Sequence, residues 1–186
     1  DEYNMRGLLL LADGFEDTEA LTTRDVLLRA GFELVTCSIK DERSVTSSFG
    51  LDVMADACAP YVDVNEFDFL ILPGGGQGVR NLASSHFVAQ TINNFMNTSR
   101  YIFAICAAPS LLGRLGFLKD RNFTCFPGFE GGFGGNYKKD EGVVVDGKII
   151  TARSMYYSIE FALAIIDLLK DDADVKLKVE KGIKGL

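Results

Sequence analysis

The chain has 186 residues, 47% of them hydrophobic and 24% charged, and carries a net charge of −7. A chain of this length buries roughly 70% of the surface its unfolded form exposes, so one domain can be built without disulfides or metal staples. The acidic balance, with no long basic run, excludes nucleic acid and anionic membranes as expected partners.

Asp1–Asn4 precede Met5 and are expected to be an appended remnant, so the domain is read over residues 6–186. Gly7–Ala12 is an almost uninterrupted apolar run, the mark of a strand buried on both faces. A helix is predicted over Glu16–Ala30, stopped by Gly31, and an alternating strand over Phe32–Ser38. Short strands are expected near Ser44–Ser47 and Leu51–Met54, followed by a loop. Phe67–Leu72 is a second buried strand, running into the Pro73–Gly76 turn and two helices near Gly78–Ser84 and His86–Met96. Tyr101–Ile105 is another buried strand, followed at once by a helix over Ala107–Arg114. Phe123–Phe126 reads as a short strand. Gly128–Gly135 holds five glycines in eight positions and is expected to be a mobile loop. Gly142–Val145 and Lys148–Thr151 form a hairpin around Asp146-Gly147. A helix over Tyr157–Leu169 and a charged C-terminal helix close the chain.

Strands alternating with helices imply a mostly parallel sheet covered on both faces, an α/β three-layer sandwich. Sites in such sheets lie at the carboxyl ends of strands. The loops Asp13–Glu19, Pro73–Gly78 and Cys106–Pro109 are therefore the places to look.

The four cysteines, Cys37, Cys58, Cys106 and Cys125, share no metal-type spacing, and His86 is the only histidine. A Cys/His zinc site and a disulfide scaffold are both unexpected. No run reaches ~18 apolar residues, no signal-type pattern opens the chain, and the expected location is the cytoplasm, with reduced thiols. Cys37 and Cys125 lie in strands and read as packing residues. Cys58 falls in a loop and is expected to be exposed. His86 reads as a surface residue of its helix.

Cys106 differs. A buried strand ends at Ile105, the thiol follows, and a helix begins with no room for a loop, with small residues at Ala104 and Ala108. That is a strand-to-helix nucleophile elbow. A helix N-terminus there is expected to lower the thiol pKa, and Pro109 suits a first helical turn. The Pro73–Gly76 turn either supplies an oxyanion-binding N–H beside that of Ala107 or merely satisfies positive φ. The acids of Asp13–Glu19 suit a helix N-terminus. Glu19, on the side of Val26 and Ala30, is placed to be buried and to share a proton with the thiol.

Four motifs fall in matching order over about residues 6–170. They are Leu11-Ala12-Asp13-Gly14-Phe15-Glu16-Asp17-Thr18-Glu19, Leu72-Pro73-Gly74-Gly75, Ala104-Ile105-Cys106-Ala107-Ala108-Pro109 and Phe161–Ile166. Together they resemble the DJ-1/ThiJ/PfpI superfamily, and most closely its DJ-1/YajL-type members. The resemblance implies a flavodoxin-like sandwich, usually a homodimer. It implies that Cys106 is an oxidation-sensitive nucleophile hydrogen-bonded by Glu19, with backbone amides from Gly75 and Ala107. Implied activities are glyoxalase III conversion of methylglyoxal to lactate, deglycase action on glycated thiols and amines, peroxide sensing and chaperone holding. None uses a metal or organic cofactor, and the implied partner is a small reactive carbonyl or a peroxide.

The chain departs from the family pattern at several places. Phe126 stands where DJ-1 has histidine, as in YajL-type members. Ala107 stands where PfpI-type proteases have histidine, so a thiol protease would need a base from a partner subunit. Ser154-Met155-Tyr156-Tyr157 follows Thr151-Ala152-Arg153 where DJ-1 has a Gly-Pro-Gly-Thr run. Phe49 replaces an arginine near the DJ-1 dimer interface. Two functions are carried forward: an α-oxoaldehyde enzyme using Cys106 and Glu19, and an oxidative-stress sensor or chaperone without turnover.

Overall fold

The apolar runs collect in one seven-stranded sheet. The computed structural model describes residues 3–186, and the elements in chain order are these. Strand β1 (Arg6–Leu11) leads to helix α1 (Asp17–Arg29), then β2 (Glu33–Ser38), β3 (Ser44–Thr46), β4 (Asp52–Met54) and β5 (Ala57–Cys58). Next come β6 (Phe69–Leu72), α2 (Gly76–Ala83), α3 (His86–Asn97), β7 (Tyr101–Ile105) and α4 (Pro109–Arg114). The chain continues through β8 (Asn122–Phe123), β9 (Asn136–Tyr137), β10 (Val143–Asp146), β11 (Ile149–Ala152), α5 (Ser158–Leu169) and α6 (Ala173–Lys184).

The sheet order is β10-β11-β7-β6-β1-β2-β5, with β3–β4 and β8–β9 as separate two-stranded pairs. Each neighbouring pair of the main sheet is parallel except β10–β11, the predicted hairpin. The continuous apolar run of β1 is explained by its alternation. Leu8 and Leu10 face a core with α2, α3 and α4, while Leu9 and Leu11 face a core with α1, α5 and α6. Leu70 and Leu72 divide from Phe69 and Ile71 in the same way on β6. This is the expected flavodoxin-like three-layer sandwich. Among the described residues, no helix is long and apolar enough to cross a membrane.

Several boundaries move for local reasons. Helix α4 begins at Pro109 rather than Ala107, because Cys106 has φ 66° and Ala108 N–H turns back to Ile105 O at 3.1 Å. Helix α2 starts two residues early, at Gly76, capped by Gly75. The strand expected over Phe123–Phe126 stops at Phe123. Beyond it Thr124 N–H donates to Thr151 Oγ1 at 2.9 Å and Phe126 N–H to Cys106 O at 2.8 Å, so this segment's hydrogen bonds leave the ladder. The glycine-rich loop is anchored by Phe129 and Phe133 against the core; the Phe133 ring lies where a Cβ on Gly113 would be, 2.2 Å away. Cys58 corrects the sequence reading: it is buried, not exposed, because β5 pairs Cys58 with Ser38 at the sheet edge. Before β1, Tyr3 OH donates to the Asp68 carboxylate and Asn4 Nδ2 to Gly31 O.

The Phe69 ring sits at the centre of the α1/α5 core, edge-on to Phe32 and tilted against Phe103. Phe69→Ala is expected to destabilise the fold by about 3–5 kcal/mol. Chemical denaturation measures this.

Candidate functional site

The strands β1, β6 and β7 are neighbours, and the chain changes direction across the sheet at the β1/β6 border: β2 and β5 lie to one side, β6, β7 and β11 to the other. Crevices form at the carboxyl ends of strands at such a point. The three loops singled out in the sequence meet there.

The elbow is strained. Cys106 is one of three non-glycine residues at positive φ among the described residues. For a residue with a Cβ this costs on the order of 1–3 kcal/mol and persists only where the surroundings dictate it. Two backbone hydrogen bonds do so: Cys106 N–H to Ala152 O and Phe126 N–H to Cys106 O, both 2.8 Å. Ala104 and Ala108 are fully buried, so the tight turn leaves no space for larger side chains. The thiol is half-buried and accepts hydrogen bonds from the N–H groups of Ala107 and Gly75. The donor at Ala107 belongs to the turn before α4, not to a helix beginning there as the sequence implied.

Glu19 is 1% exposed. It stands at the third position of α1, where a glutamate normally folds back onto its own helix N-terminus. Here the carboxyl turns inward instead: Oε1 accepts from Gly74 N–H at 2.9 Å, and the side chain hydrogen-bonds the Cys106 thiol. The glycines of the turn are needed for this contact. A Cβ on Gly74 would lie 2.4 Å from Glu19 Oε1 and 2.7 Å from Cys106 Cβ. Gly75 has φ 95°, and a Cβ on it would lie 2.5 Å from Gly14 O. Positive φ and an N–H aimed at the sulfur are thus requirements of the same residue, not alternatives.

The electrostatics revise one expectation. Burial, and then the charge of Glu16, push the Glu19 carboxyl from its ordinary 4.5 up to about 7. The Cys106 thiol is raised rather than lowered, first by burial and then by the charge of Glu19 and the hydrogen bond to it. The amides of Ala107 and Gly75 pull it down, but by less. The elbow alone therefore does not yield a thiolate. The carboxyl ionises before the thiol, so near neutrality the sulfur becomes anionic only when its proton passes to Glu19. No cluster of three or more His, Cys, Asp or Glu that could hold a metal occurs among the described residues.

Cys106, Glu19, Gly75 and Ala107 are thus brought together. Cys125 is not: it is fully buried in the α2–α4 core, whereas Cys106 packs against the opposite one. Burial pushes the Cys125 and Cys37 thiols up to about 12 each. His86 is exposed at the start of α3. Beside the elbow opens a cleft of about 590 Å³ lined by Phe126, Tyr137 and Arg153 among others. Arg153 Nη1 donates to Lys139 O at 2.8 Å and Nη2 to Tyr157 OH, so the guanidinium ties this wall together. Sequence reasoning missed Gly74 and Glu16. The signal was present in the triple glycine and in the three-residue spacing of Glu16 and Glu19, but helix-dipole preference explained those acids equally well.

The DJ-1/PfpI family model matches residues 5–168. Protein dj-1beta of Drosophila melanogaster is 32% identical over 181 residues, 96% of this chain and 95% of that protein. Its crystal structure superposes with a TM-score of 0.90 at 30% identity, covering 97% of this chain and 98% of the other. Glutathione-independent glyoxalase DJR-1.2 of Caenorhabditis elegans is 29% identical over 164 residues, 88% of this chain and 87% of that protein. Toxoplasma gondii DJ-1 in an oxidized form has a TM-score of 0.89 at 29% identity, covering 96% and 97%.

A carboxyl whose native pKa lies above its unfolded value stabilises the fold fully below the unfolded pKa and loses that contribution as pH rises through the native one. For Glu19 the window runs from about 4.5 to about 7. Denaturation across it should show stability falling by on the order of 3 kcal/mol. In Glu19→Gln this slope should disappear.

Proposed function

The chain belongs to the DJ-1/PfpI family, and on that premise we propose that it converts small α-oxoaldehydes such as methylglyoxal to 2-hydroxy acids, using Cys106 as nucleophile and Glu19 as proton carrier. The observation that carries this reading is the hydrogen-bonded pair itself: a half-buried thiol on a strained elbow, bonded to a carboxyl that titrates near neutrality. A relative named as a glutathione-independent glyoxalase supports it.

The Cys106 thiolate adds to the aldehyde carbon, and the resulting alkoxide takes the proton held on Glu19, giving a hemithioacetal. The Gly75 and Ala107 N–H groups face the reacting centre and offset the oxyanion charge. The Glu19 carboxylate then removes the hydrogen of the former aldehyde carbon as a proton, giving an enediolate, and returns it to the adjacent carbon, while the hydroxyl proton passes from the first oxygen to the second, moving oxidation level within the substrate. The product is a thioester, which water hydrolyses to lactate and the free thiol. Atoms and electrons balance with one water consumed. A carboxyl near 7 suits this work, because it gives and takes a proton at similar cost. By extension, hemithioacetals and hemiaminals of glycated thiols and amines revert to the free thiol or amine and the aldehyde, and the aldehyde then enters the same addition and transfer.

A second reading is favoured by one observation. Phe126 borders the elbow where a base would stand, and among the described residues Glu19 is the one ionisable side chain bonded to the thiol. In that reading Cys106 senses peroxide. The thiolate takes oxygen from one peroxide to form a sulfenate, and from a second to form a sulfinate, releasing a water each time.

We also assign the face around the site to a second copy of the chain. Phe49 is 84% exposed on the loop whose Ser47 Oγ donates to Asp17 at the start of α1. Tyr156, 82% exposed, and Met155 follow the β11 end that holds the elbow. Exposed aromatic residues flanking one crevice fit a homodimer interface.

Lactate formation from methylglyoxal is expected to fall to background in Cys106→Ser and by about 10²–10⁴-fold in Glu19→Gln. Full turnover by Cys106→Ser would overturn the mechanism. Selective oxidation of Cys106 under mild peroxide, read by mass spectrometry, together with no aldehyde turnover, would establish sensing instead. Sedimentation should give a dimer that Phe49→Glu weakens; a monomer at micromolar concentration would refute the assigned interface.

A further inference from the structure

Three hydrogen bonds close a ring between the start of α1 and the turn after β6. Glu16 N–H donates to Gly74 O at 3.0 Å, Gly74 N–H donates to Glu19 Oε1 at 2.9 Å, and Glu19 N–H donates to Glu16 Oε2 at 2.7 Å. Glu16 takes part in two of the three, once through its backbone and once through its carboxylate. Helix caps are more often Ser, Thr, Asp or Asn, whose shorter side chains reach the same N–H. A glutamate here places a full negative charge beside a buried carboxyl that already lacks solvent.

The charge acts unequally on the reactive pair. Glu16 bears on Glu19, whereas the charge that bears on the Cys106 sulfur is that of Glu19. Among the described residues, Cys106 is the one other ionisable group that bears on Glu19, through its hydrogen bond. The β6 turn offers only backbone, and the Asp17 carboxylate is turned away to Ser47 Oγ at 2.7 Å and Phe49 N–H at 3.4 Å. A charge that disfavours the ionised form of one member of a proton-sharing pair, and not of the other, decides which member keeps the proton.

We propose that Glu16 is a positioning residue: its cap bond fixes the Glu19 carboxyl against Cys106, and its charge biases the proton of the pair toward Glu19, raising the anionic share of the sulfur. Its carboxylate bonds Glu19 N–H and is not among the groups that bear on the sulfur, so it acts through Glu19. This rests on the Cys106–Glu19 pairing proposed above, but not on any particular substrate.

The test compares Glu16→Gln with Glu16→Asp, and reads the thiol rather than turnover. Gln keeps the acceptor for Glu19 N–H and removes the charge; Asp keeps both. Thiolate absorbance against pH and the iodoacetamide alkylation rate of Cys106 are measured on each, with Glu19→Gln as the reference for a pair that cannot exchange a proton. In Glu16→Gln the alkylation rate at neutral pH is expected to fall about threefold to tenfold, with Glu16→Asp restoring it. If Glu16→Gln folds with an unchanged thiolate profile and rate, Glu16 is a cap only and the proposal is overturned. Should Glu16→Gln fail to fold, Glu16→Ser, a neutral residue favoured at caps, carries the same comparison. A wild-type protein that shows this charge dependence but no aldehyde turnover would overturn the glyoxalase reading and leave the role of Glu16 standing.

Discussion

The site depends on one buried proton shared between a carboxyl and a thiol. Neither group reaches a reactive state alone. Burial pushes the Cys106 thiol up, and burial also keeps Glu19 protonated to an unusual pH. Placed in contact, the two can exchange a proton, and two backbone N–H groups at the sulfur offset the charge it then carries. This replaces the simpler idea that an N-terminal helix dipole activates the thiol. Helix α4 starts two residues after Ala107 and has only six residues, so its dipole is not the main influence.

Much of the surrounding architecture serves that contact. The parallel strands β1, β6 and β7 bring three loops to one edge, and each loop supplies one part: Glu19, the glycine turn and the thiol. The turn glycines are small because the carboxyl and the elbow occupy the space a side chain would need. The elbow is built into both faces of the sheet: Ala107 and Ala108 pack into the α2–α4 core and Cys106 packs against the α1/α5 core. The strain at Cys106 is held by a hydrogen bond donated to β11 and one accepted from the segment before Pro127, elements far apart in sequence.

The departures from the family pattern concentrate at the mouth of the crevice. Phe126 and Pro127 form one wall of the adjoining cleft, and Arg153, tied to Tyr157 and to the Lys139 carbonyl, forms another. Tyr157 packs where a side chain on Gly142 would stand, 2.1 Å from its ring, so this wall too is fixed by a glycine. The inner pair is thus framed by aromatic surface rather than by a second base, which leaves Glu19 as the ionisable side chain bonded to the thiol among the described residues.

The sequence by itself determined the layer order, since strands buried on both faces must be nearly all apolar, as Leu8–Leu11 and Phe69–Leu72 are. It also marked the elbow, because a thiol between a buried strand and a proline-led turn has few other arrangements. Glu19 could be assigned to a buried helix face from its spacing with Val26 and Ala30. What the tertiary structure alone decided were the facts that rest on contacts between distant segments. Cys58 is buried because a two-residue strand finds the free edge of β2, which no local pattern announces. The strand after Asp120 ends early because Thr151 and Cys106 take its hydrogen bonds. The protonation of the reactive pair was likewise out of reach, since it depends on how deeply Glu19 and Cys106 are buried and on the placement of Glu16, which spacing along a chain does not measure.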